Sequence, residues 1–139
     1  MQFNHALLLA SDLDEMSQFL IRALGLQKGR RPPFGFAGVW LYDELNVPCI
    51  HIAKRDDINP EQSFYLGHNE KHSSIPSLPT VDHLAFTSNN YQMIKERLTR
   101  LNMPFVEREI PEANEHQVFI KGPDGLKIEI LFSSNDIHS

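Results

Sequence analysis

The sequence predicts an α+β fold in which one small module is used twice, and three observations predict it. Two short β-type runs, each with a histidine near its start, open at Phe3 and at Val81. Each is followed by an amphipathic helical pattern and then by further strand-like runs. The offset between the halves is constant: His5 to His83 is 78 positions, His51 to Glu129 is 78, and 46 positions therefore separate the polar pair within each half.

In the first half, the strand at Phe3–Leu9 leads to Asp12, a helix N-cap with acidic Glu15 at the third helical position. Leu13, Met16, Phe19, Leu20, Ala23 and Leu24 recur at helical spacing, and Gly25 ends the helix where a left-handed residue is favoured. Strands at Gly38–Tyr42 and Cys49–Ile52 follow, joined by the turn Asp43-Glu44-Leu45-Asn46. In the second half, Val81–Phe86 is the strand, and Asn89-Asn90 leads into a stripe of Tyr91, Ile94, Leu98 and Leu101 with Asn102 as left-handed cap. Strands at Gln117–Ile120 and Lys127–Leu131 flank the turn Gly122-Pro123-Asp124-Gly125. Each half reads strand, helix, then two or three strands. One domain spans 1–139, with module one at about 1–54, a connecting loop at about 55–80 and module two at about 81–132. The loop carries Pro60, Gly67, Pro76 and Pro79 and is too long for a tight connector. Its His68 and His72 read as solvated loop residues.

Composition narrows the partners. With 41% hydrophobic and 22% charged residues, the chain falls among ordinary globular proteins. Thirteen Lys and Arg against eighteen Asp and Glu give a net charge of −5, without the basic surface that nucleic acid requires. The longest apolar run, Ala6–Ala10, is far short of the ~20 residues of a membrane helix, and the N-terminus lacks signal-peptide character. The lone Cys49 makes no internal disulfide and reads as a buried, inert thiol. Together these features predict a cytoplasmic protein with no nucleic-acid or membrane partner.

The chemistry is carried by His5, His51, His83 and Glu129, each set in an apolar strand. His51 lies between Ile50 and Ile52 and Glu129 between Ile128 and Ile130, so alternation puts the polar groups on the face opposite the isoleucines. On a solvent face they need no further account. On the inside of a curved sheet, a buried carboxylate must be paired or bound to a metal. Imidazoles facing one carboxylate make a divalent-metal composition. Two histidines and a carboxylate with open positions suit iron(II) oxygen chemistry, while imidazole also suits zinc, nickel and copper. Phe34, Phe36, Trp40 and Phe119 read as core or pocket wall. Arg30 and Arg31 read as a solvated pair, with anion anchoring as the alternative.

The paired modules, the opening His5 and His83, the helix end Leu24-Gly25-Leu26 and the closing Gly122-Pro123-Asp124-Gly125-Leu126-Lys127-Ile128-Glu129 carry a resemblance. From His5 to Phe132 the chain resembles the vicinal oxygen chelate superfamily: glyoxalases, extradiol ring-cleaving dioxygenases, fosfomycin-resistance enzymes and bleomycin-binding proteins. Gly122 departs from the acidic residue usual at that place. The resemblance implies two βαβββ modules forming an incompletely closed eight-stranded sheet around a metal site, with the helices outside. It implies metal ligands at His5, His83 and Glu129. His51 falls where glyoxalases have a fourth ligand, a glutamate, and where extradiol dioxygenases have a second-sphere acid/base histidine. Three ligands leave about three of six octahedral positions open. His51 either fills one or moves protons, as an unperturbed pKa of roughly 6.5 suits. The open three-ligand geometry favours proton transfer. Extradiol dioxygenases also carry a tyrosine ten residues before the closing glutamate; here it is Phe119, and His116 is the candidate to compensate.

The implied function is a metal-dependent enzyme chelating a small oxygen-bearing substrate, most like the extradiol dioxygenase branch. Fe2+ is the favoured ion, with Zn2+, Ni2+ or Mn2+ as alternatives, and a homodimer follows from the family's habit. The competing functions are a glyoxalase-type lyase or isomerase and a metal-free drug-binding resistance protein.

Overall fold

The chain folds as β1 (Ala6–Ala10), α1 (Leu13–Leu24), β2 (Gln27–Gly29), β3 (Gly38–Tyr42), β4 (Ile50–Lys54) and α2 (Pro60–Tyr65). It continues as β5 (Leu84–Thr87), α3 (Tyr91–Arg100), β6 (Phe105–Ile110), β7 (Glu115–Lys121), β8 (Lys127–Ser133) and α4 (Ser134–Ile137). The structure, a computed structural model, describes residues 3–56, 58–65 and 83–137. His68, His72, Val81 and Asp82 lie outside the described residues.

Both long helices start and stop on local chemistry. The Asp12 carboxylate accepts a hydrogen bond from the Glu15 amide at 2.9 Å, and Gly25 closes α1 at φ 73°. The Asn90 side chain does the same for the Met93 amide at 3.1 Å, with Asn102 left-handed at φ 54° beyond the end of α3. Met16, Phe19, Leu20 and Ala23 form the buried stripe of α1, which packs on β3 and β4.

The strands pair in two four-stranded mixed sheets, ordered β1-β4-β3-β2 and β5-β8-β7-β6. In each, a parallel ladder joins the first and last strands of the module, and antiparallel hairpins complete it. Leu7 pairs with His51 and Ala85 with Glu129, so the 78-residue offset of the sequence is also an offset of hydrogen-bonded register. The chain divides into two compact units, Met1–Leu78 and Pro79–Ser139, each with its own βαβββ module and core. Leu20, Leu41 and Ile52 are fully buried in the first; Leu98, Val118, Ile128, Ile130 and Phe132 are fully buried in the second.

Four elements were not separate in the sequence pattern. β2 and β6 supply the third strand after each helix, α2 lies inside the connecting segment with Asn59 capping the Glu61 and Gln62 amides, and α4 ends the second unit. His5 and His83 each stand one residue before their strand rather than within it. Among the described residues, no helix is long and apolar enough to cross a membrane.

Candidate functional site

In the first unit the parallel ladder sets His5 two residues before Leu7, the register partner of His51, which places the two imidazoles on one face. They stack at 3.8 Å between ring centroids, 16° apart. The antiparallel ladder puts Trp40 directly opposite His51, and the indole stacks on the other side of the imidazole at 3.7 Å and 7°. His51 is therefore the middle of three stacked rings. It is only 5% exposed, and neither of its ring nitrogens has a hydrogen-bond partner among the described residues.

Burial chiefly, then the neighbouring His5 and the Arg31 guanidinium, push the His51 pKa down from 6.5 to about 4. The ring is neutral at physiological pH. Between about pH 6.5 and 4 the unfolded chain takes up a proton that folded His51 refuses. This contribution to the stability of the metal-free protein is therefore complete above pH 6.5 and is lost as the pH falls, by up to about 3 kcal/mol. Urea unfolding in chelator at neutral and at acid pH should show that loss. The same loss in His51→Phe would rule out His51 as its source.

The second unit repeats the arrangement with different chemistry. His83 stands two residues before Ala85, the partner of Glu129, and its Nε2 lies 3.0 Å from a Glu129 carboxylate oxygen. Glu129 is buried at 7% exposure, whereas His83 is partly open. Phe119 pairs directly with Glu129 and meets the His83 ring edge-on at 6.5 Å. The structure thus brings together His5 with His51, and His83 with Glu129. In each pair the residue on the closing strand, His51 or Glu129, is buried, the condition under which the carboxylate needs a partner.

His116 is not brought to Glu129. Three residues from Phe119 on the same strand, it points to the opposite face, in register with Phe132. There its Nε2 lies 3.0 Å from Glu107, which also accepts a hydrogen bond from the Tyr91 hydroxyl and faces Lys95 at 3.7 Å. Burial by itself would raise the Glu107 pKa, but these partners hold its carboxyl below the usual range. Strand alternation alone separates His116 from the position its compensating role requires.

Arg31 is not a solvated cation. It lies 5.0 Å from the rings of both Phe34 and Phe36 and donates to the Phe36 carbonyl at 2.9 Å. Gly38 makes room for it, because a Cβ there would come within 2.7 Å of the Ile52 carbonyl and 2.6 Å of the guanidinium. The aromatic spacing Phe34-Gly35-Phe36 was the available signal for this clamp.

Among the described residues, no group of three or more His, Cys, Asp or Glu side chains is gathered into a ready metal site. The donor chemistry nevertheless fits a divalent ion. The His51 nitrogens are buried, neutral and without hydrogen-bond partners among the described residues, His5 and His83 are imidazoles at equivalent positions, and Glu129 is a buried carboxylate.

A curated relative, glyoxylase I 4 of Arabidopsis thaliana, is 24% identical over 137 residues, spanning 91% of this chain and 68% of the relative. Among solved structures, lactoylglutathione lyase from Agrobacterium tumefaciens matches with a TM-score of 0.64 at 20% identity, over 96% of this chain and 95% of that one. The fosfomycin resistance protein FosX from Listeria monocytogenes matches at 0.63 and 16% identity, over 95% and 93%. These structural likenesses concern the fold. The sequence also matches the family model described as Glyoxalase/Bleomycin resistance protein/Dioxygenase superfamily over residues 2–130, which takes in both modules and all four polar positions. The chain belongs to the glyoxalase/bleomycin resistance protein/dioxygenase superfamily.

Proposed function

We propose that the protein is a metal-dependent enzyme that chelates a small oxygen-bearing substrate, with His5, His51, His83 and Glu129 as the metal ligands. The observation that carries this reading is the repeated polar pair. The same two ladder positions in both modules hold groups able to ligate a divalent ion, and both positions on the closing strands are buried. A bound divalent ion would supply Lewis-acid polarisation of substrate oxygens. The chain's own side chains have separate tasks. Glu129 provides the negative charge, His83 orients that carboxylate, and the rings of His5 and Trp40 hold His51 against rotation.

Among the superfamily's reactions, the glyoxalase-type lyase or isomerase is favoured over ring cleavage. Four protein ligands leave about two of six positions, enough for a chelating substrate but not for dioxygen as well. Phe119, in register with Glu129, has no hydroxyl to offer, and His116 faces away. The names of the relatives, glyoxylase and lactoylglutathione lyase, support the same branch. With dioxygen chemistry set aside, Zn2+ or Ni2+ replaces Fe2+ as the favoured ion. A homodimer is part of the proposal.

Elemental analysis of protein purified without chelator, followed by assays of the metal-loaded form, tests it. Stoichiometric divalent metal and formation of lactoylglutathione from its thiohemiacetal precursor, without oxygen uptake, are expected. Oxygen consumption with catechol would restore the dioxygenase reading. Failure to hold any divalent metal would overturn the enzyme reading in favour of a metal-free binding module.

A further inference from the structure

The segment after β4 folds back onto the loop that joins β2 to β3. Gln62, which is buried, fixes its position: its side-chain amide donates to the Lys54 carbonyl at 2.7 Å, and its side-chain oxygen accepts from the Asp56 amide at 3.0 Å. That turn brings Asn59 and Glu61 to Gly35. The Glu61 carboxylate accepts from the Gly35 amide at 2.8 Å, and the Asn59 side chain donates to the Gly35 carbonyl at 3.2 Å. Only glycine permits this approach, because a Cβ at position 35 would collide with the Glu61 carboxylate. From Gly35 the loop leads to the first-unit site. Phe34 stacks on Phe36 at 5.3 Å and lies 6.4 Å from the Trp40 indole, which in turn stacks on His51. The end of the loop is tied to β4, where the Lys54 amide donates to the Ala37 carbonyl at 3.0 Å.

Both ring nitrogens of His51 are buried. An ion or reagent reaches a buried nitrogen only when a neighbour moves. β1, β3 and β4 are held to one another by ladder hydrogen bonds. The loop lies outside those ladders, and its tie at Gly35 consists of exposed hydrogen bonds, the kind that opens at small cost. We propose that Asn59 and Glu61 form a catch on Gly35 that keeps this loop closed against the Trp40–His51 stack, and that its release opens the way to the His51 nitrogens. Glu61 touches no ligand; it acts through Gly35 and Phe34. The proposal rests on the metal-site reading for the identity of what enters, and it adds how entry is controlled.

Diethyl pyrocarbonate, which acylates neutral imidazole nitrogens, tests access in chelator-treated protein, with each histidine followed by peptide mass spectrometry. Glu61 is exposed, so Glu61→Ala should keep the fold. Loss of one exposed hydrogen bond should raise the rate of His51 modification about three- to tenfold. His116, similarly buried but in the second unit, should keep its wild-type rate, which separates loop opening from unfolding. Glu61→Gln retains an acceptor for the Gly35 amide and should restore the wild-type rate. Acrylamide quenching of Trp40, the chain's one tryptophan, should rise in Glu61→Ala and return in Glu61→Gln. An unchanged His51 rate in Glu61→Ala, equal increases at His51 and His116, or no rescue by Glu61→Gln would overturn the catch. Zn2+ uptake should quicken by the same factor in Glu61→Ala, with the final stoichiometry unchanged. Uptake at the wild-type rate despite faster modification would overturn the catch as the route of the ion. Faster His51 modification in a protein that takes up no Zn2+ at all would uphold the catch and overturn the metal reading alone.

Discussion

Glu129→Ala is expected to lower bound divalent metal below about a tenth of the wild-type stoichiometry, because removing a ligand costs more than the ~10–100-fold lost with a supporting partner. Glu129 is the only carboxylate among the four proposed ligands, so the three remaining imidazoles leave the charge of the ion unbalanced. The variant should still fold. Truncating one partner of a buried pair costs stability and leaves a cavity, but His83 is 39% exposed at its side chain, so the group left behind reaches solvent and the cost stays moderate. Thermal melting in chelator should therefore show a folded variant that melts somewhat below the wild type, while elemental analysis shows the metal gone. Stoichiometric metal retained by Glu129→Ala would remove Glu129 from the ligand set.

His51→Ala separates the two roles open to that residue. The sequence favours proton transfer, since three ligands already leave open positions; the stacked, neutral ring supports the ligand role proposed above. A ring stacked on both sides has no freedom to carry a proton between positions, and a pKa of about 4 makes it a weak base near neutral pH. Its neutral nitrogens are what a metal requires. Metal affinity and turnover should fall together in His51→Ala. Because that change also opens a cavity beside Trp40, His51→Gln serves as a companion that keeps most of the volume. Metal retained at full stoichiometry with turnover reduced by the ~10²–10⁴-fold of a lost proton-transfer group would return His51 to the acid/base role.

Much of the fold was legible because local signals agree. Asp12 with Gly25, and Asn90 with Asn102, bound the two long helices where the sequence marks them. The hairpins close on Asn46 and on Asp124-Gly125, all at positive φ. β2 and β6 were hidden for physical reasons. Gln27-Lys28-Gly29 is short, polar and exposed, and it becomes a strand only because β3 offers an unpaired edge. Phe105–Ile110 places Glu107 and Glu109 on the face shared with His116 and Arg108 on the other, so charge on both faces masks the alternation.

The candidate site divides along the same line. The 46-residue separation in each half was visible as arithmetic, since a duplicated module keeps equivalent residues at equivalent places. His116 could have been excluded from the sequence too, because three residues along a strand always change face. The partners were not readable. His51 meets two aromatic rings while Glu129 meets an imidazole. Arg31 is clamped by Phe34 and Phe36. Helix caps and turns are decided within four or five residues by hydrogen bonds to the adjacent backbone, so the chain alone specifies them. Which side chains touch across a ladder depends on a register set by burying the apolar face of each strand against elements far away in sequence, and that is settled only when the whole unit packs.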